Sequence, residues 1–261
     1  MSQNINNIKN LFNTGVDDEE ITQQTSQILI NGLDDTNIAG YMGTDLDDIE
    51  SDDVVLVKLV LDRSWSMKDY ENEVRTSYDA LIDALKESKQ AKNMLVSTHL
   101  FAGPDDSVIL HGFQKVEEID KIGRQYIAEG GSTAIYYNLR TALAGTYAYA
   151  KDLNDNGVRT KNLVCILSDG DDNSSRSANP AATSQEIQTI SADYLRQENW
   201  ILSYIGFGPD NHDSITAKIG FPNVLTAQQT ASEIRKSMGL LSASIIRASQ
   251  TQIGSNNSFF S

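Results

Sequence analysis

The stretch Val54-Val-Leu-Val-Lys-Leu-Val-Leu61, followed at once by Asp62-Arg63-Ser64-Trp65-Ser66-Met67, decides the fold. An apolar run of this length without polar alternation predicts a central strand covered on both faces. Lys58 is its one misfit. Working outward, the spacing of Val74, Tyr78, Leu81, Ile82 and Leu85 predicts a helix over about Tyr70–Ser88. Met94–Phe101 and Ser107–Phe113 read as strands joined by the turn Gly103-Pro104-Asp105-Asp106. Ile135, Leu139, Leu143 and Tyr147 place a helix over about Ala134–Lys151. Asn162–Leu167 is a second buried strand, and a helix over about Ser184–Gln197 leads to the strand Trp200–Phe207. Ile234, Met238, Leu241 and Ile245 mark a last helix over about Gln229–Ala248.

This alternation implies an α/β, doubly wound, Rossmann-like fold with helices on both faces of a mostly parallel sheet. The Gly103-Pro104 turn is too short for a parallel crossover, so one strand is expected antiparallel at an edge. Three segments are expected: an acidic N-terminal extension over 1–53, the α/β domain over 54–250 and a tail over 251–261. Ile5, Ile8 and Phe12 predict one amphipathic helix in the extension. Ile21, Ile28 and Leu29 predict another, capped by Asp17 or Asp18 and stopped by Gly32. Asp34–Asp53 reads as a linker.

The chain of 261 residues carries a net charge of −15, and residues 1–53 hold 12 of its acidic side chains and one Lys. Phosphate backbones repel such a chain, so nucleic acid is not an expected partner. The acidic segment reads either as a dock for a basic surface or as a solubilising arm. No stretch has the length and apolarity of a transmembrane helix. The N-terminal residues show no basic region followed by an apolar run, and Cys165 is the only cysteine, so a cytoplasmic location is expected.

Open α/β sheets bind ligands at the carboxyl ends of their strands. After the first strand comes Asp62-Arg63-Ser64-Trp65-Ser66. Before the helix near 134 comes Gly130-Gly131-Ser132-Thr133, and after the strand at 162–167 comes Ser168-Asp169-Gly170. The three loops offer carboxylates, hydroxyls and glycines and no imidazole, a ligand set suited to a hard cation such as Mg²⁺. Neutral hydroxyl ligands leave the ion much of its charge, so that it still attracts an incoming carboxylate.

In these motifs the chain resembles the von Willebrand factor A (vWA) family over about residues 54–248, in a bacterial cytoplasmic form. Asp62-x-Ser64-x-Ser66, Thr133 after a Gly-rich loop and Asp169 after a later strand match that family's metal-ion-dependent adhesion site (MIDAS). The resemblance implies that Ser64, Ser66 and Thr133 ligate the metal directly. It implies that Asp62 and Asp169 act largely through water or by accepting hydrogen bonds from the serines. The ion would be Mg²⁺, with Mn²⁺ as the alternative, and an acidic side chain of a partner protein would take the open position. The chain is then a binding module and not an enzyme. The segments GGSTAIYYNL and LSDGDDN are similar to bacterial vWA proteins that work beside MoxR-type AAA+ ATPases or in kinase and phosphatase systems. A structural or assembly subunit that uses the N-terminal helices for contacts is the alternative. A Mg²⁺-dependent phosphatase of the haloacid-dehalogenase type ranks lower, because it needs a second acid where Ser64 stands.

Trp65 occupies a position where the family commonly has Gly. Its ring either faces a partner or packs under the loop. Arg63 is expected to be solvated. Asp152–Gly157 matches half of an EF-hand loop, but Leu163 stands where the closing Glu belongs, so an ordinary turn is expected. Asp171 and Asp172 enrich the negative field or are merely solvated. His99, His111 and His212 lack zinc spacing, and Cys165 reads as a small hydrophobe.

Overall fold

Strand β1 (Asp53–Asp62) is buried at every position after the first, as its unbroken apolar run predicts. It is the hub of a six-stranded sheet with β2 (Met94–Phe101), β3 (Ser107–Lys115), β4 (Arg159–Ser168), β5 (Trp200–Phe207) and β6 (Asn223–Ala227). The strand order is β3-β2-β1-β4-β5-β6. Every pairing is parallel except β2 with β3, so the expected antiparallel strand stands at one edge. The computed structural model describes residues 2–33, 43–208, 212–251 and 259–260.

Helices α3 (Glu71–Lys86) and α7 (Ala231–Gln250) cover one face. Between them and the sheet lie Val57, Leu59, Leu61, Tyr78, Leu81, Met238 and Leu241. Helices α4 (Ile135–Asp155), α5 (Ser184–Arg196) and α6 (Asp213–Ile219) cover the other, over Val60, Val164, Ile166, Leu202 and Tyr204. Helix α5 opens with a capping box in which Thr183 and Glu186 exchange backbone bonds. Helix α4 is buried almost throughout its length, because the N-terminal segment lies over its outer side. Its end at Asp155 and the turn through Asn156 and Gly157 account for the EF-hand-like residues.

Helices α1 (Ser2–Asp17) and α2 (Gln23–Asn31) form where the apolar spacing placed them. The cap of α2 is not Asp17 or Asp18. Thr22 fills that role and accepts the Thr25 N–H on its side chain, while Asp17 is still inside α1. Ile8, Phe12, Ile21 and Leu29 are buried against Leu143, Tyr147, Tyr194 and Trp200. Polar bonds tie the same surfaces. The Thr22 amide and hydroxyl both donate to Asp193 Oδ2 at 2.7 Å. Tyr147 Oη donates to Glu20 Oε2 at 2.7 Å, and Lys151 Nζ to Asp18 Oδ2 at 2.6 Å. A Cβ at Gly15 would lie 1.8 Å from Tyr147 Oη, so the close approach of α1 to α4 needs glycine there.

Of the expected linker, residues 34–42 lie outside the described residues. Beyond them Gly43 bridges to Phe113, and Tyr149 Oη donates to the Thr44 carbonyl at 2.8 Å. Of the expected tail, residues 252–258 and 261 lie outside the described residues. Phe259 is buried, and its carbonyl accepts Arg247 Nη2 at 3.2 Å.

Candidate functional site

The sheet changes winding direction between β1 and β4, and their carboxyl ends form the crevice that this topology creates. Asp62 closes β1 and is buried. Its Oδ1 accepts the Ser64 N–H at 2.8 Å and its Oδ2 the Ser168 hydroxyl at 2.5 Å. Burial pushes the Asp62 carboxyl up to about 6, against the bonds from Ser168 and Ser64, which stabilise the charged form. Tyr126 Oη donates to the Asp62 carbonyl at 2.6 Å and holds the strand end from the side of α3.

The 62–66 loop is fastened to the 130–133 loop by backbone bonds. The Trp65 N–H donates to the Gly130 carbonyl at 2.8 Å, and the Gly130 N–H to the Arg63 carbonyl at 3.2 Å. A Cβ at Gly130 would come within 2.1 Å of Ala102 Cβ in the turn after β2, so only glycine lets the 130–133 loop run this close to that turn. Thr133 is buried, and its backbone is clamped by the loop after β4. Its N–H donates to Asn173 Oδ1 at 2.8 Å, and its carbonyl accepts the amides of Asn173 and Ser174 at 2.9 and 3.2 Å.

The Ser64 and Ser66 hydroxyls bond at 3.0 Å, and the Ser66 hydroxyl donates to Asp169 Oδ1 at 2.8 Å. Gln229 Nε2 donates to Asp169 Oδ2 at 2.7 Å. Burial pushes the Asp169 carboxyl upward, and the bonds from Ser66 and Gln229 oppose it. Side chains thus link Ser64, Ser66 and Asp169. Asp62 joins them through the Ser64 amide, and Thr133 is brought to the same loops by its backbone. Among the described residues no hydrogen bond joins the Thr133 side chain to the other four.

The neighbours correct one reading and settle two left open. Trp65 is 65% exposed, so its ring faces outward. Arg63 is not merely solvated, because it pairs with Asp106 in the turn after β2. Asp172 is not merely solvated, because it accepts the Tyr136 N–H at 3.0 Å at the start of α4 and the Ser175 hydroxyl, and its charge, with that of Asp171, adds to the negative field at Tyr136. Sequence reasoning gave no role to Asn173 or Gln229, and it quoted Ser168 with its loop without assigning it one. Ser168 stands at the end of β4 beside Asp169, a position that marks it. Gln229 carries no local signal, since it precedes the last helix and meets Asp169 only in the fold.

All donors at the site are oxygens, two carboxylates and three hydroxyls, which fits a hard cation. Asp62 supports the fit, because a carboxylate buried at this depth gains from a cation beside it. Among the described residues no three His, Cys, Asp or Glu side chains gather as a metal-binding group.

No protein-family model matches the chain, and no curated protein matches it. Solved structures do. The chain superposes on the pilus adhesin SpaC of Lactobacillus rhamnosus GG in its open conformation at 13% identity and a TM-score of 0.57. The match covers 75% of this chain and 30% of that one. It superposes on proximal thread matrix protein 1 of the mussel byssus, in a form with a zinc-occupied MIDAS motif, at 16% identity and a TM-score of 0.51. That match covers 75% of this chain and 46% of the other. The chain therefore spans less than half the length of these neighbours. At such identities the likeness concerns the fold, which is a vWA-like α/β fold with one antiparallel edge pair.

Proposed function

We propose that this chain is a binding module, not an enzyme, that captures a carboxylate of a partner protein at a MIDAS built from Asp62, Ser64, Ser66, Thr133 and Asp169. The observation that carries the reading is the bonded series from Asp62 through Ser64 and Ser66 to Asp169, assembled from two strand ends. Mg²⁺ or Mn²⁺ bound there would supply a Lewis-acidic position for an incoming carboxylate. Ser64, Ser66 and Thr133 are the direct ligands in this reading. Asp62 orients Ser64 through its amide, and Asp169 orients Ser66 through its hydroxyl. Gln229 fixes the rotamer of Asp169. The exposed Trp65 ring stands on the same loop, ready to cover the partner's backbone, as Trp does at binding hot spots.

The packing of α1 and α2 onto α4 and α5 disfavours the alternative of an assembly subunit that uses those helices for contacts, since their apolar faces are already covered. A phosphatase of the haloacid-dehalogenase type lacks its second acid, because Ser64 stands there. The cytoplasmic location expected from the lone cysteine belongs to the same proposal.

The test is thermal unfolding in Mg²⁺, in Mn²⁺ and in EDTA. Metal at 100 times its Kd stabilises a one-site protein by about 2.7 kcal/mol. Thr133→Ala is expected to abolish that gain while leaving the EDTA melting point within a few degrees of wild type. A wild-type melting point indifferent to both metals and to EDTA would overturn the reading.

A further inference from the structure

Beside the 130–133 loop lies a groove of about 350 Å³ that the metal reading leaves unused. It is lined by Tyr136 on the first turn of α4, by the segment entering α5 and by Lys218 of α6. Asn173 belongs to this lining and also bonds the Thr133 amide, so the groove adjoins the candidate site directly.

The charges of the lining are uneven. Its one carboxylate, Asp172, is consumed by the Tyr136 amide and by the amide and hydroxyl of Ser175. Its two cations, Arg176 and Lys218, are exposed, and among the described residues neither forms an ion pair. Asp171 does not line the groove, but its charge and that of Asp172 both reach Tyr136 there. In a chain of net charge −15, two exposed cations lining one groove beside an oxygen-rich site suit an anionic side chain.

We propose that this groove receives a second acidic side chain from the same partner segment. The partner then presents an extended stretch with two Asp or Glu residues rather than a lone carboxylate. The first would take the position described above, so the proposal rests on that reading for its anchor. The second would lie between Arg176 and Lys218, with hydroxyls at the start of α5 as further donors. Specificity then comes from the spacing of two charges, which a single carboxylate on an arbitrary surface does not satisfy.

The experiment titrates the ¹⁵N-labelled full chain with short acetylated Gly/Ala peptides, in Mg²⁺ and in EDTA. One peptide carries a single Asp, a panel adds a Glu at successive later positions, and another panel places phosphoserine there. The best diacidic peptide is expected to bind wild type about tenfold more tightly than the single-Asp peptide, as a charge-assisted contact allows. The Arg176→Gln/Lys218→Gln variant is expected to lose that gain and to bind the single-Asp peptide as wild type does. Lys89→Gln/Lys92→Gln, with an equal change of net charge far from the groove, is expected to keep it. Equal binding of the diacidic peptides by wild type and the Arg176/Lys218 variant, in Mg²⁺ and in EDTA, overturns the groove. So does a response confined to the phosphoserine panel. A gap between wild type and that variant that persists without any dependence on Mg²⁺ supports the groove and overturns the metal reading instead.

Discussion

Lys58 shows what one residue can cost a fold. It interrupts the apolar run of β1 but not its pairing, and is wholly buried, bonded to Ser97 Oγ at 2.8 Å and set 5.7 Å from the Phe113 ring. His99 and His111 share this pocket, and both are held below the usual imidazole range, by burial first and by Lys58 in addition. Burial also brings the lysine down from 10.5 to about 7. The sign follows from linkage. Above about pH 10.5 the lysine is neutral in both folded and unfolded chains and costs nothing. As pH falls toward about 7 the unfolded chain takes up the proton first, and stability drops by about 1.4 kcal/mol per unit. Below that the loss is constant, with a ceiling of about 5 kcal/mol set by the interval between the two values. Lys58→Met removes the titration, and Ser97 keeps its bond to the His111 carbonyl. The variant is expected to be more stable than wild type by about 1–4 kcal/mol at neutral pH, with the gap closing toward pH 10. Urea unfolding across that range checks it, and parallel stability curves would contradict it.

At the scale of elements, the 130–133 loop is where local backbone geometry controls the site. Gly130→Ala drives a Cβ into Ala102, whereas Gly131→Ala meets nothing within 4 Å. The first substitution is expected to cost about 1–3 kcal/mol and to lose the stabilisation by Mg²⁺. The second is expected to keep both properties of wild type. Equal metal responses in the two variants would show that the loop contact does not govern the site. The two glycines look alike in the sequence, and only the neighbour across the fold separates them. The same limit explains which elements were legible. β1, β4 and α3 carry long apolar patterns and stand within a few residues of where those patterns put them. β6, a half-buried edge of five residues, and the short helix α6 carry no such run, and both were missed. Asp62, Ser64, Ser66, Thr133 and Asp169 were legible as candidates because each follows a strand or precedes a helix. Gln229 was not, because its bond to Asp169 exists only once α7 has packed.

At the scale of the molecule, the N-terminal segment was expected as an extension and lies docked on α4 and α5. Burial of each large apolar side chain contributes about 1.5–3 kcal/mol, less the cost of ordering the helices, and the segment buries Ile8, Phe12, Ile21 and Leu29. A chain beginning at Asp52 is therefore expected to lose several kcal/mol and to bind a hydrophobic dye at the uncovered Tyr147, Tyr194 and Trp200. An unchanged urea midpoint would show that the α/β domain stands without the segment. The course of β1 has a mechanical consequence as well. The chain enters this strand at Asp53, and the candidate site begins at its far end, Asp62. A partner held at the site and pulled away from residue 53 would stretch β1 lengthwise. Its parallel ladders, to β2 over Val55–Asp62 and to β4 over Asp53–Leu61, would then be loaded in shear, so that their rungs resist together and do not unzip one by one.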